Sequence, residues 1–571
     1  MNFQPADWIV LCVTLLGVIA YGIYKSKASR NLEGYFLSNR QMPWYLVLLG
    51  IMGTQASAIT FLTAPGQAYT DGMRFVQYYF GLPLAMIVIC ISFVPIFQKL
   101  KVYTAYEYLE NRFDLKTRTL TSFLFLLSRG LSTGISIFAP SLILHSMMGW
   151  DIYITNIVMG GLLIIYTVTG GARAVAYTQQ LQFVIIYGAM FLAAWYALKS
   201  LPEGVGLTDA LHIAGKSGKL NVITTGVTEK GFDWNDRYNI WSGVIGGFFL
   251  ALSYFGTDQS QVGRYITAKD TRESRLGLLL NGLVKVPLQF GILLIGCLVF
   301  AFYCFFQAPV FFNKAQEQSV LKSNYAGAYS AAESEYTLLQ KNKLKTVQEL
   351  AVAVKEKNEA NINEKRASLQ QLEQESISIR KRVKDIVSKA NPGSDANDTN
   401  YIFLYFVGQV LPTGLVGLII AIIFLAAWGS IAAALNSLAS CTMVDFHKKF
   451  SKKELTAEQD YKWSKFYTLL WGVFCIVIAF FAYNLGNSLI EAVNVLGSWF
   501  YGTILGIFLV AFYLKHVKGN AVFWAAIIAE VIVISVYRMN IMSFLWLNLI
   551  GAAAVILFSL LLQQLLQKKV A

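Results

Sequence analysis

Oxygen atoms inside an apolar helix can replace the water around a hard cation, and two stretches of this sequence supply them. Ala426-Ala427-Trp428-Gly429-Ser430-Ile431-Ala432-Ala433-Ala434-Leu435-Asn436-Ser437 is a small-residue, hydroxyl-bearing stretch inside a long apolar run. The other carries Gly50, Gly53, Pro65 and Gly66 around the polar run Thr54-Gln55-Ala56-Ser57. Breaks in an apolar helix free backbone carbonyls, and freed carbonyls together with half-helix ends hold ions at membrane depth. The two stretches together point to a cation site. A third apolar run holds Gly243, Gly246, Gly247 and Gly256 and reads as interrupted too, although glycine equally serves close helix packing.

Charge within an apolar run is costly and usually faces a cavity or a partner. Lys285 can bind a ligand hydroxyl or carboxylate, and Arg129 lies one helical turn before Ser132. Glu491 precedes Asn494 by the same step. The structural alternative is that Arg129 or Lys285 pairs with Glu491 or caps carbonyls.

The elements that must position these residues are membrane helices. Of 571 residues 56% are hydrophobic and 14% charged, the mean hydropathy is +0.51, and many apolar runs reach 18 residues or more, too many for one soluble core. We expect an all-α polytopic membrane protein with about thirteen spans, each able to cross a hydrocarbon layer of roughly 30 Å. They fall near residues 7–25, 43–69, 76–99, 118–148, 151–169, 174–200, 239–257, 275–306, 409–444, 463–484, 487–514, 519–538 and 542–566.

Lysine and arginine collect in alternate loops: Lys25, Lys27, Arg30 and Arg40; Lys99, Lys101, Arg112, Lys116 and Arg118; Arg264, Lys269, Arg272 and Arg275; Lys448, Lys449, Lys452, Lys453, Lys462 and Lys465; Lys515 and Lys518; Lys568 and Lys569. This pattern puts the N-terminus outside and the C-terminus in the cytoplasm. It also accounts for much of the net charge of +14 without a nucleic-acid partner. The first span is followed by its charges and lacks a small-residue cleavage site, so it reads as a retained anchor. Cys12, Cys90, Cys297, Cys304, Cys441 and Cys475 sit in apolar spans without metal-type spacing and read as packing residues. His145, His212, His447 and His516 lie in separate segments, and no cluster of His, Cys or paired carboxylates argues for an enzyme. No Walker loop or kinase segment argues for an ATP-driven pump.

Residues 314–398 break the membrane pattern. Apolar positions at Leu344, Val347, Ala351 and Val354, then at Leu369, Leu372, Ile379, Val383 and Ile386, have three-four spacing. They predict two helices packed as an antiparallel hairpin on the outside face, turning near Asn358–Asn363 and stopped at Pro392-Gly393. The segment is either an inert insertion or a docking point for a periplasmic partner.

Four motifs carry a resemblance. Leu32-Glu33-Gly34-Tyr35-Phe36-Leu37-Ser38-Asn39-Arg40, Thr104-Ala105-Tyr106-Glu107-Tyr108-Leu109-Glu110-Asn111-Arg112-Phe113, Thr169-Gly170-Gly171-Ala172-Arg173-Ala174-Val175 and Tyr254-Phe255-Gly256-Thr257-Asp258-Gln259-Ser260-Gln261-Val262-Gly263-Arg264-Tyr265 resemble the sodium:solute symporter family. That family includes sodium/glucose, sodium/iodide, proline and sialic acid transporters. The resemblance covers nearly everything outside 314–398 and implies a five-plus-five inverted repeat of the leucine-transporter type in a bacterial-like member. The first repeat would be 43–200 and the second 239–514, with an extra helix and loop in 1–42 and two C-terminal helices in 515–571.

By position, the resemblance implies sodium ligands at the carbonyls of Gly53, Ala56 and Ala426 and at hydroxyls of residues 429 and 430. Gly429 has no hydroxyl and Ser430 does, so sodium binding should be weaker. A second sodium site of some members needs an aspartate where Gln179 stands and hydroxyls where Ala432 and Ala433 stand, which implies one sodium per cycle here. The implied solute cavity matches Ser57, Thr60, Tyr78, Tyr79, Ser132, Ala251, Tyr254, Lys285 and Asn494, with Tyr254 as an inner gate that stacks on the solute. Sugar-transporting members surround the ring with amide and carboxylate groups, where this sequence has Thr60, Tyr79, Ser132, Ala251 and Asn494, a departure from a simple galactose-type site. The resulting expectation is a sodium-coupled symporter of the bacterial inner membrane, importing a sugar, polyol, sugar acid or carboxylate by alternating access. Proton coupling, uncoupled transport and a solute-sensing receptor are the rivals.

Overall fold

The structure, a computed structural model, describes residues 3–25, 32–392, 396–451, 455–482 and 489–568. Lys27, Arg30, Gly393, Lys452, Lys453 and Lys569 lie outside the described residues, as do the side chains of Lys25, of residues 169–174 and of Lys568. The α-helices in chain order are α1 Pro5–Lys25, α2 Leu32–Leu37, α3 Trp44–Gln55, α4 Ala58–Asp71, α5 Leu82–Val88, α6 Val94–Leu100, α7 Glu107–Arg112 and α8 Leu115–Met148. Next come α9 Ile152–Lys199, α10 Leu207–Lys216, α11 Gly247–Thr257, α12 Gln259–Tyr265, α13 Thr271–Phe305, α14 Lys314–Leu321, α15 Ala326–Lys355 and α16 Glu359–Ala390. The last are α17 Thr399–Val410, α18 Leu415–Cys441, α19 Lys448–Phe450, α20 Ala457–Phe481, α21 Leu489–Tyr513, α22 Gly519–Arg538 and α23 Phe544–Lys568.

Helix starts follow local chemistry. Asp114 accepts a hydrogen bond from the Thr117 N–H (2.9 Å) to open α8, and Asp270 accepts from the Glu273 N–H (2.9 Å) to open α13. Thr456 and Gln459 cap α20 reciprocally. Among the described residues, nine helices are long and apolar enough to cross a membrane, and four further apolar helices are shorter: Pro5–Tyr21, Trp44–Gln55, Ile152–Ile165 and Ser242–Thr257. The expected count of about thirteen spans is thus not reached on length alone. One reason is that the helical run Ala58–Leu100, joined through a 3₁₀ segment at Gly72–Tyr79, takes in parts of two expected spans. Within α9 the two apolar pieces have different neighbours. Asn156 donates to the Ala479 carbonyl of α20 (3.4 Å), while Gln179 reaches Gly429 of α18.

The two interruptions read from glycine come out differently. Between α3 and α4 the chain leaves the helix at Ala56 and Ser57, inside the polar run. At the second place helical backbone continues through Gly243, Gly246 and Gly247 as a π turn, and the chain breaks later, at Asp258, whose φ of −75° and ψ of 118° are extended. A Cβ on Gly243 would lie 2.3 Å from the Gln77 carbonyl oxygen, and one on Gly247 would lie 2.4 Å from that of Tyr78. These glycines therefore bring backbones together rather than break the helix.

Residues 326–390 form two helices, α15 and α16, joined at Glu356–Asn358. Glu335–Arg382, Lys343–Glu373 and Glu349–Lys365 pair in reversed sequence order along them, as antiparallel helices require. Tyr329, Tyr336, Ile379, Val383 and Val387 build a small core of their own, whereas Val347, Leu350 and Leu369 join the main core. Buried charge fastens the hairpin to the membrane helices. Glu373 sits between Lys343 (2.6 Å) and Lys219 (3.5 Å), Lys219 donates to the Thr70 carbonyl (2.7 Å), and both ammonium groups lie over the Phe300 ring of α13. Burial raises the Glu373 pKa, but Lys343 and Lys219 overcome it and hold the carboxyl at about 2.

Candidate functional site

A cavity of about 140 Å³ lies where α4, α8, α11, α13, α18 and α21 converge. Ser57 and Thr60 reach it from the start of α4, Tyr78 and Tyr79 from the 3₁₀ segment, and Arg129 and Ser132 from α8. Tyr254 and Ala251 enter from α11, Lys285 from α13 and Asn494 from α21, so all nine residues matched to the solute cavity line one space together with Arg129. Ser430 lines the same cavity, which puts the cation stretch beside it.

The polar groups of the cavity are unevenly satisfied. Tyr78 donates to Asn494 Oδ1 (3.3 Å), and Ser132 donates to its own helix at the Ser128 carbonyl (2.6 Å). Lys285 is 5% exposed, lies 5.7 Å from the Tyr79 ring centroid, and has no ion pair or hydrogen bond among the described residues. Among the described residues, no Asp or Glu lines the cavity. The pairing of Arg129 or Lys285 with Glu491, weighed above, is not what the fold makes. Glu491 stands in the first turn of α21, where Arg237 (2.7 Å) and the Tyr238 hydroxyl (3.0 Å) occupy its two oxygens. Arg129 lies deeper, 3.9 Å from Asp258 Oδ2 and 5.8 Å from the Tyr254 ring centroid, and its Nε is buried without a hydrogen-bond partner.

Asp258 and Tyr501 were not named from sequence as site residues. Asp258 is 1% exposed, accepts from Ser260 and from the Tyr501 hydroxyl (2.8 Å), and so ties the break after α11 to α21 beneath Tyr254. Gln261 donates to the Tyr254 hydroxyl (2.7 Å), which ties α12 back to α11 across the same break. The cost of charge at membrane depth, which singled out Glu491, singles out Asp258 equally.

Of the residues expected to hold a cation, Gly53 and Gly429 both lie against the Gln179 side chain, which brings the α3–α4 break beside α18. Ser57 N–H donates to the Gln55 carbonyl (2.8 Å) and Thr60 N–H to that of Ser57 (3.0 Å). Both donors are thus turned away from the carbonyls of Gly53 and Ala56, which continuous helix would have satisfied. Ser430 Oγ lies 3.0 Å from the Ala426 carbonyl oxygen, so two further oxygens of the set sit together. Gln179, 1% exposed, donates from Nε2 to the Gly429 carbonyl (3.1 Å), and its Oε1 is buried without a hydrogen-bond partner. A Cβ on Gly53 would lie 2.7 Å from Gln179 Cδ, so that glycine makes room for the amide. The Gly53 and Ala56 carbonyls at the break and the Ser430 hydroxyl are neutral oxygens of the kind a monovalent hard cation takes.

A multi-pass membrane carrier with a polar cavity among its helices is the class that this fold defines. The model of the sodium:solute symporter family matches residues 35–328 and 383–529, leaving most of the hairpin outside the match. The chain belongs to that family, and it is a sodium-coupled transporter, not an enzyme. It is 24% identical to the sodium/sialic acid symporter of Proteus mirabilis over 560 residues, covering 97% of this chain and 94% of that protein. Identity to the human sodium/iodide cotransporter is 29% over 316 residues, 53% of this chain and 46% of that protein. A solved structure of a Na+-coupled sialic acid symporter, substrate-bound and outward-open, shares the fold with a TM-score of 0.75 at 22% identity, covering 99% of this chain and 98% of that one.

Proposed function

We propose that the protein imports a small, hydroxyl-rich organic anion, a sugar acid fitting best, together with one sodium per cycle. The observation that carries the solute class is Lys285: a buried ammonium facing a cavity without a carboxylate in its lining. A solute carboxylate would supply the missing partner, and Ser57, Thr60, Tyr78, Tyr79, Ser132 and Asn494 offer the donors and acceptors that hydroxyls need. Arg129, loosely paired to Asp258, offers a second cation, and Tyr254 closes the cavity as the inner gate. The sialic acid symporters among its relatives carry such a sugar acid, which supports the reading.

Sodium bound by Gly53, Ala56, Ala426 and Ser430 would tie the broken span to α18 and favour the solute-binding state; inward opening and low internal sodium would then release both. The repeats 43–200 and 239–514 would rock about this seam in a bacterial inner membrane, with the N-terminus outside and the C-terminus cytoplasmic. The outer face of the 314–398 hairpin would be open to a periplasmic partner. One charge moved through 100 mV supplies about 2.3 kcal/mol, or roughly fiftyfold accumulation before the sodium gradient is counted.

The test is uptake into proteoliposomes of a panel of sugars, polyols, sugar acids, amino acids and carboxylates, with an inward sodium gradient against equal potassium. Sodium-dependent accumulation of a sugar acid with a Hill coefficient near one, lost in Ser430→Ala, is the expected result. Uptake indifferent to sodium would sink the coupling and turn attention to protons or facilitated diffusion. Binding without flux would favour a receptor.

A further inference from the structure

Position 429 lacks the hydroxyl that the family's principal sodium site would take from it, yet the space where that hydroxyl would lie is filled. A Cβ built on Gly429 would meet Gln182 Oε1 at 2.7 Å. A serine hydroxyl lies one bond beyond its Cβ, so this amide oxygen stands within the reach of the missing group. Gln182 is 2% exposed, and its Nε2 is buried without a hydrogen-bond partner. The side chain is therefore not placed there to satisfy its own amide, a burial that nothing in the protein offsets. One helical turn earlier, Gln179 holds the Gly429 carbonyl from its Nε2 (3.1 Å) and leaves its own Oε1 unpartnered.

We propose that the Gln182 carboxamide oxygen replaces the residue-429 hydroxyl as a sodium ligand. The assignment rests on sodium coupling and deepens it by naming the donor that completes the site. An amide oxygen suits the exchange because, like a hydroxyl, it is a neutral hard donor. It adds no charge to a seam that already holds carbonyls. Glycine at 429 is what lets the longer side chain enter from α9.

The test uses the purified full-length protein without solute. The unfolding midpoint is followed against sodium chloride, with potassium chloride matching ionic strength, and the sodium dependence of uptake is measured in parallel. Gln182→Leu keeps the volume and removes the oxygen; it is expected to raise the half-saturating sodium concentration about tenfold in both readouts, with the solute KM at saturating sodium unchanged. Gln182→Glu presents an oxygen whichever way it turns and should stay within about threefold of the parent. Gly429→Ser placed in Gln182→Ala should also recover the parent value to within about threefold, because the serine hydroxyl enters the vacated space. A sodium response in the parent that Gln182→Leu leaves unchanged overturns this assignment alone. Failure of Gly429→Ser to rescue a double variant that still binds solute overturns it as well. No sodium response in the parent overturns both this assignment and the coupling on which it rests.

Discussion

Two lysines are buried almost equally in this protein and live in opposite surroundings. Lys343, 4% exposed, belongs to the hairpin and meets Glu373 at 2.6 Å; Lys285, 5% exposed, belongs to the cavity and lies 5.7 Å from the Tyr79 ring centroid, with no ion pair among the described residues. A buried charge without a partner is expensive, so a fold keeps one only where something else arrives to pair with it. The same contrast holds across the two regions. In the hairpin, Glu373 has two cationic partners, Lys343 and Lys219, while beside the cavity Arg129, Gln179 and Gln182 each keep a buried polar atom without a hydrogen bond. The Glu373 network holds the hairpin to the membrane helices, and under the proposed function the unpartnered groups along the cavity are those that solute and sodium would complete.

Substitutions at the two lysines give the widest separation. Lys285→Met is expected to lower uptake about a hundredfold while the unfolding midpoint stays the same or rises, since an unpaired buried charge is removed. A fall in the midpoint comparable to the loss of uptake would make Lys285 a structural residue and end the contrast. Arg129→Gln should act in the same direction but less, about tenfold and chiefly in the solute KM, because the Tyr501 hydroxyl still holds Asp258. An effect confined to the folding midpoint would remove Arg129 from the site.

The hairpin should behave in reverse. Glu373→Gln strands Lys343 and Lys219, so it is expected to cost about 3 kcal/mol, seen as a lower unfolding midpoint, with uptake of the surviving protein within about twofold of the parent. The pH dependence has a definite sign. The Glu373 carboxyl is held below its usual value of 4.5, at about 2, so its contribution is complete above 4.5 and fades as pH falls toward 2. Midpoints measured from pH 7 to 2 should therefore show the parent losing more below pH 4.5 than Glu373→Gln does. Equal losses in the two proteins would remove Glu373 from the account. The smallest effect belongs to Arg382→Ala, whose pair with Glu335 is 51% exposed on both sides, so the unfolding midpoint should not move measurably.

Much of the site was legible because its signals are local. Residues 54–57 read as a polar run in an apolar span, and the chain leaves the helix there. The three-four spacing in 314–398 names Val347, Leu369, Ile379 and Val383, all of which are buried. Charge partners were not legible. Glu491 could be seen to need a cation, but Arg237 was passed over because it belongs to a loop, where charge is unremarkable in sequence. The glycines near 243 show the other limit, since interruption and close packing call for the same residue and only the neighbouring backbone tells them apart.

By itself the sequence determined the class of protein, its apolar helices and the family, because hydropathy, periodicity and motifs are properties of neighbouring residues. Tertiary structure alone decided that Arg129 faces Asp258, that Glu491 is taken by Arg237, and that Gln182 fills the space beside Gly429. Each of these joins residues more than a hundred positions apart. Which of them meet is fixed by how whole helices pack, and no local pattern encodes it.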